Sequence, residues 1–492
     1  KIYRVGTHMK KKIKARYIIA NENGKTVICE DGEMLYEEGK ILRVGHNVGE
    51  DYDSCIDYGN AIVSPGFIDL DALGDIDHAL FYEELDDSKK MYWSKEYFEK
   101  GAAEAMTPEE EAFKSLYAYS QLLSHGITTA MPITCTYYKK AAETYEEIAA
   151  AAEHAKHLGI RTYLGPSYIS AMHVYDKTTG KLDIRFMEEE GWKGLERAER
   201  FAQDYKDYNS LLTPVMVPER IELQTEQILK ETKRFATEHG LLMRLHAAQG
   251  QLEADAIRRQ HGMSSIAYLE SIGLLDEKTL IPHTILASGN LYTEDQSDDD
   301  LEILKRNHTK VIHCPLVYAR DGRALKSFGR YRRYGIGMSM GTDTFPPDFF
   351  SNIRAGSAMA RMLDGNNPSN YAKEFFEAAT IGGAQALGRE DLGRLSAGAR
   401  ADYFVLDCND YYLGVMDDPI RTMCMCADSR DIRYVVVDGK TVLENGRIPG
   451  IDYEKLQAQA QKYYDKLKHS FIDRSAFPEK DFYRPSYEIR KK

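Results

Sequence analysis

The chain has 492 residues, 43% hydrophobic and 29% charged, with 64 Lys and Arg against 77 Asp and Glu. That length calls for a large barrel with an appended unit, or for several domains. The formal charge of −13 argues against a nucleic-acid binder, which needs a basic face to neutralise phosphates, and no run reaches the roughly 20 apolar residues of a membrane span.

The basic opening, residues 1–14, lacks the apolar core of a secretion signal. Gly6-Thr7-His8-Met9 reads as a cloning junction, which makes Met9 the expected start. The seven cysteines are scattered and odd in number, so a disulfide framework is not expected and a reducing cytoplasm is. Cys424 and Cys426 flank a single Met, but no second Cys/His pair stands at zinc-site spacing from them.

Short strands come first, over 12–20, 25–29, 33–36 and 40–45, between Gly and Asn punctuation. The pattern returns at 401–407, 432–439 and 440–447, with a hairpin turn at Asp438-Gly439. Neither group buries a face alone, so the two chain ends are expected to build one small β-sandwich domain from 9–64 and 394–449. Between them, over 65–393, strands alternate with amphipathic helices: strands at 126–133, 160–165, 211–217, 241–246, 280–283, 310–314 and 336–343, and helices at 109–123, 145–158 and 225–239. This rhythm predicts an α/β fold, a distorted TIM-type (β/α) barrel. His246, His283, His313 and Asp343 each fall at the C-terminal end of a strand, where the loops of such a barrel converge on its active site. Residues 450–492 form a helical extension, with a surface helix over 452–467 and an irregular tail beyond Ser470, placed to cover a barrel mouth or a subunit contact.

The motifs are Pro65-Gly66-Phe67-Ile68-Asp69, His125-Gly126-Ile127-Thr128-Thr129, His313-Cys314-Pro315, Gly341-Thr342-Asp343, and the closing runs 379–388 and 392–402. In this order they resemble the cytosine deaminase, chlorohydrolase and triazine hydrolase branch of the amidohydrolase superfamily, from Met9 to about residue 449. The resemblance implies hydrolysis of a non-peptide carbon–nitrogen bond, by deamination or amide or amidine cleavage, in a small cyclic nitrogen-rich molecule. It implies a divalent metal whose bound water is activated, with His246 as the fifth-strand ligand, His283 as the sixth-strand histidine and Asp343 as the eighth-strand aspartate. Two parts of the pattern are changed. Asp71 and Leu73 stand where the branch has His-x-His, and Gln249 stands where it has a proton-carrying glutamate; Gln hydrogen-bonds but does not exchange a proton.

Three explanations remain open. In the first, Asp71 joins His246, His283 and Asp343 around one divalent ion, zinc, iron or manganese, with the added oxygen ligand favouring harder ions. In the second, no metal is bound and His246, His283 and Asp343, with Gln249, carry out altered acid–base chemistry. In the third, the chain binds a ligand without turnover. The partner expected is a small-molecule substrate, with no nucleic acid and no membrane, and a homodimer is the candidate assembly.

Other residues read more plainly. Asp75 and Asp77, before His78, read as a solvated acidic turn, with a contribution to the metal site as the alternative; His125 reads as a structural helix-end residue, and Asp298 to Asp300 as a helix N-terminus. The resemblance implies that the region of His313 shapes the substrate pocket, but Leu316-Val317-Tyr318 replace the small polar pair expected after it, so the substrate contact there is expected to differ. Tyr318, Arg320 and Arg323 fit equally a mouth that pairs with an anionic substrate or a plain surface loop.

Overall fold

A computed structural model describes residues 9–76, 92–101, 104–134, 139, 143–477, 487, 488 and 490. Eight parallel strands carry the centre of the molecule. Phe67–Leu73, Ile127–Ile133, Arg161–Leu164 and Leu212–Pro214 form one four-stranded sheet, and Met243–Arg244, Thr279–Pro282, Lys310–His313 and Met338–Met340 form another. We number them first to eighth. The first two are apolar-rich and buried throughout, except for the half-buried Leu73, as expected where layers cover both faces of a parallel sheet.

The two sheets meet at both seams. On one side Met216 accepts from the Arg244 N–H and donates to Leu242 O, both at 3.0 Å. On the other, the Asp343 N–H donates to Asp71 O at 2.8 Å, and both side-chain oxygens of Asp69 accept from Thr342, the N–H at 3.0 Å and the hydroxyl at 2.6 Å.

The connecting helices begin and end on local signals. Thr107 and Thr144 each form a capping box, with Glu110 and Glu147, at the starts of Pro108–Ser124 and Tyr145–Leu158. Thr225 caps Glu226–His239, and left-handed Gly159 and Gly240 stop the second and third of these helices. Their apolar faces pack on the strands in one continuous core.

Strands from both ends of the chain share a single mixed eight-stranded sheet. Its order is Lys440–Glu444, Ile432–Val437, Tyr403–Asp407, Ala61–Pro65, Lys10–Glu22, Lys25–Glu37 and Lys40–Gly45, with Ser54–Asp57 also beside Lys10–Glu22. The expected breaks at 29–33 do not end a strand: Lys25–Glu37 runs through them, with Asp31 taking a left-handed φ of 49°. The hairpin forms at Asp438-Gly439, where both residues are left-handed, as a type I′ turn requires. The C-terminal helix is longer than expected, Tyr453–Arg474, and runs four residues past Ser470; most of the expected tail lies outside the described residues. It packs Tyr463 on Phe113 of the Pro108–Ser124 helix. No helix of the described residues is long and apolar enough to cross a membrane.

Phe67 and a salt bridge join the two parts. The Phe67 ring opens the first strand and meets Phe349 at 4.9 Å and Phe404 at 5.0 Å. Arg161 on the third strand pairs with Asp402 at 3.0 Å, both side chains buried, and Asp402 also accepts the Asp438 N–H at 2.6 Å. Removing one partner of a buried pair strands the other charge, at a cost of about 3–5 kcal/mol. Asp402→Ala is therefore expected to lose about that much stability in urea unfolding; a change below about 1 kcal/mol would show that the pair contributes little.

Candidate metal centre

Asp71, the fifth residue of the first strand, is fully buried at the C-terminal end of the eight strands. Its Oδ2 lies 3.5 Å from His246 Nε2 and 3.6 Å from His283 Nε2. His283 Nε2 is in turn 3.5 Å from Asp343 Oδ2. One ligand atom from each of Asp71, His246 and His283 lies within 4.8 Å of the others, while Asp343 stands beside His283 at the edge of this group. The four residues meet although 272 positions separate the first from the last.

Short extensions of the sheet aim these groups. Isolated parallel bridges pair Arg220 with His246 and Ala247 with His283, carrying the fourth, fifth and sixth strands a little further. His246 Nδ1 is 2.7 Å from Glu219 O, which orients the ring and turns Nε2 inward. Ala248, His283, Thr284 and Asp343 all have positive φ, from 42° to 74°. Backbone held there by non-glycine residues is strained, and such strain clusters at functional sites. Glu253, buried at the start of the helix Gln251–His261, accepts the N–H of Ala248 at 2.6 Å and of Gln249 at 2.8 Å and so fixes this turn.

Arg244 is two residues before His246, so the alternation of a strand puts both side chains on the inner face. Its guanidinium is fully buried and crosses to the opposite strands. Both Nη1 hydrogens go to carbonyls, Leu70 O at 3.1 Å and Met131 O at 2.5 Å, and Nη2 donates to Pro132 O at 2.9 Å. Nη1 also lies 3.4 Å from Asp71 Oδ1. The Cys314 thiol donates to Asp71 Oδ2 at 3.7 Å.

The electrostatics follow from burial and these neighbours. Burial by itself would raise the Asp71 pKa, but His246, Arg244 and His283 outweigh it and hold the carboxyl well below its usual range. Arg244 is the permanent charge among them. Burial also pushes His283 well below the usual imidazole range, against the pull of Asp71, so the ring is neutral and able to act as a ligand. Asp69 is pushed up to about 7 by burial, against the hydrogen bonds from Thr342. The Cys314 thiol is driven well above its ordinary value by burial and then by the charges of Asp71, Asp343 and Asp69.

These atoms fit a metal ion. Ligands about 2.1 Å from a tetrahedral ion stand about 3.4 Å apart, close to the observed 3.5 and 3.6 Å. Neither His283 nitrogen nor Asp71 Oδ1 has a hydrogen-bond partner among the described residues, and buried polar atoms left so are costly unless something else satisfies them.

The remaining sequence readings divide. Gln249 is half-buried next to the centre, beside Tyr318; the Tyr318 ring meets His283 edge-on at 5.0 Å. Tyr318 is therefore buried against the site rather than part of a surface loop. Arg320 turns to Thr344 and to Phe345 O, and Arg323 lies over the Tyr318 ring beside Asp321. The His313 ring packs against the stacked rings of Phe328 and Phe375 in the helix layer. Asp75 is not solvated; it is buried and its charge acts on Lys114, part of a buried network with Glu111, Glu147 and Lys139. Asp77 and His78 lie outside the described residues. His125 ends its helix with Nδ1 on Gln121 O, and Asp298 precedes the helix Asp299–Arg306, as expected of structural residues. Cys424 is buried and Cys426 exposed on one helix, so they form no thiolate pair.

The model of the Amidohydrolase family matches residues 62–442. The chain belongs to the amidohydrolase family. A 5'-deoxyadenosine deaminase of Methanosarcina acetivorans is 26% identical over 446 residues, covering 89% of this chain and 94% of the relative. A 5-methylthioadenosine/S-adenosylhomocysteine deaminase of Aquifex aeolicus is 25% identical, covering 88% and 94%. Among solved structures, an adenosine deaminase from Xanthomonas campestris with bound zinc has a TM-score of 0.75 at 18% identity, covering 93% of this chain and 98% of that one. The atrazine chlorohydrolase of Arthrobacter aurescens complexed with zinc has a TM-score of 0.71 at 20% identity, covering 92% and 99%. These likenesses place the fold within the family's architecture.

Beside the centre lies a second polar group that the sequence reading missed. Glu222 is buried, 3.5 Å from Arg220 and 3.8 Å from His173. Burial pushes its carboxyl up to about 8, with Arg220 opposing and Glu253 and Glu219 adding to the rise. The folded state thus keeps a proton that the unfolded chain releases near 4.5. Stability tied to Glu222 is full below about pH 4.5 and is lost as pH rises towards 8. Urea unfolding at pH 5.5 and 8.5 should show wild-type stability falling by up to about 1.4 kcal/mol per pH unit from this group, and Glu222→Gln should remove that part of the slope. Equal slopes in both proteins would show that Glu222 is already ionised.

Proposed function

We propose that this chain is a metal-dependent hydrolase that deaminates, or otherwise cleaves a carbon–nitrogen bond of, a small nitrogen-rich ring, with adenine nucleosides of the 5'-deoxyadenosine type as the first substrates to test. The observation that carries the reading is the set of Asp71, His246 and His283, spaced as metal ligands and holding unpartnered buried atoms. The family and the deaminase relatives support the reaction class.

In this reading Asp71, His246, His283 and Asp343 would hold the ion, whose chemistry would be to lower the pKa of a water towards neutral pH. Asp343, with 19% of its side chain exposed, is placed to take a proton at its carboxylate. Gln249 and Tyr318 present an amide and a hydroxyl to the substrate's ring nitrogens, fixing orientation without carrying a proton. Glu253 does not replace the missing glutamate as a proton carrier, because it accepts two backbone N–H groups; its part is to hold the Gln249 turn.

The same reading takes the eight parallel strands as a distorted barrel over 65–393. The sheet of 9–64 and 394–449 would be its β-sandwich-like companion and 450–492 an extension that carries the helix Tyr453–Arg474, in a cytoplasmic homodimer.

The test is metal content by elemental analysis, followed by ammonia release from 5'-deoxyadenosine, methylthioadenosine, adenosine, guanine and aminotriazines. About one equivalent of Zn, Fe or Mn is expected, with turnover of at least one of these rings. His246→Ala and Asp71→Ala should each lower metal occupancy and cut kcat/KM by about 100-fold or more, since even outer-shell partners of metal ligands are worth 10–100-fold. Metal-free protein that binds such a ring without turning it over would instead make the chain a ligand-binding relative.

A further inference from the structure

The family pattern has a neutral imidazole where this chain has Asp71, so the exchange adds one negative charge to a fully buried centre. A buried positive charge lies directly against Asp71. Arg244 is fully buried, two residues from His246 and on the same face, with Nη1 3.4 Å from Asp71 Oδ1. A buried carboxylate without such a partner is strongly disfavoured.

The hydrogen bonds show how Arg244 acts. Both hydrogens of Nη1 are committed to Leu70 O and Met131 O, and Nη2 donates to Pro132 O. Asp71 Oδ1 has no hydrogen-bond partner among the described residues. The guanidinium is therefore held in place by three main-chain carbonyls and reaches Asp71 through its field rather than through a hydrogen bond. Its position does not depend on Asp71, and Asp71 remains free to face an ion.

We propose that Arg244 is the charge partner of Asp71: the pair gives the centre the net charge it would have with a histidine at position 71, and the guanidinium sets the affinity for a divalent cation. This rests on the metal reading above. Arg244 touches neither ion nor substrate and acts as a positioning residue through charge. A unit charge held beside a dication changes its affinity on the order of tenfold or more, even at the dielectric of bulk water. Without Arg244 the centre keeps its ligands, loses the repulsion and binds the ion more tightly.

The experiment uses the full chain, stripped with a chelator, and measures the Zn²⁺ dissociation constant by competition with a chromophoric chelator. Arg244→Gln keeps a donor for the carbonyls but removes the charge, and it is expected to bind Zn²⁺ at least about tenfold more tightly than wild type. Arg244→Lys keeps the charge and should stay within about threefold. A purely structural role would weaken both variants or leave both unchanged. If circular dichroism shows that Arg244→Gln does not fold, Arg244→Met replaces it with the same expectation. Zn²⁺ binding by the uncharged variant that is no tighter than wild type, or equal tightening by Arg244→Lys, overturns the proposal. His246→Ala separates this from the underlying reading. If it leaves Zn²⁺ affinity unchanged, the ion is not at this centre and both readings fall. If it abolishes binding while Arg244→Gln has no effect, the charge-partner inference alone falls.

Discussion

The seam between the first and eighth parallel strands is the constraint on which the centre depends. Asp69 grips Thr342 with both carboxylate oxygens, and the residues that follow, Asp71 and Asp343, are joined by a main-chain hydrogen bond. Gly341 is required for that approach: a Cβ there would lie 2.6 Å from the Asp71 Cβ and 2.9 Å from its nitrogen. Burial lets Asp69 titrate near neutrality, yet both of its oxygens are used, which ties the local packing to the placement of the residues that face the ion.

Around this seam the molecule collects groups that are expensive to bury: a guanidinium, two imidazoles, a thiol and three carboxylates. They are tolerable because each is paired by charge, held by main-chain atoms or spaced for an ion. Arg244 spends its donors on strand carbonyls, His246 on Glu219 O, and Glu253 on two N–H groups of the Gln249 turn. The centre thus has main-chain supports for its aiming groups, while Asp71 Oδ1 and the His283 nitrogens have no hydrogen-bond partner among the described residues, a combination that suits a binding site.

The strand–helix rhythm was legible in the sequence because period-2 and period-3.6 patterns are local. The helix Tyr145–Leu158 and the turn at Asp438-Gly439 fall where caps and turn residues put them. His246, His283 and Asp343 could be read because strand ends are local features too. Arg244 was missed, although its spacing from His246 marks the same face, because a buried arginine in a parallel strand is far from the usual apolar choice. Glu253, Glu222 and His173 carried no local signal, since their roles arise from contacts between distant segments. Asp75 was misplaced for a related reason: its charge suggested water, while its place beside Lys114 is buried.

The shared sheet has a consequence for how the protein is made. Ala61–Pro65 pairs on one side with Lys10–Glu22 and on the other with Tyr403–Asp407, more than three hundred residues later. At about 5–20 residues per second, the ribosome leaves the first strands without that neighbour on the order of tens of seconds. During that time Ala61–Pro65, buried in the finished molecule, presents an open strand edge, the kind of surface that recruits chaperones or pairs with the wrong chain. Yield in a cell-free translation should accordingly depend on added chaperone more steeply than for a protein whose first strands pair with near neighbours.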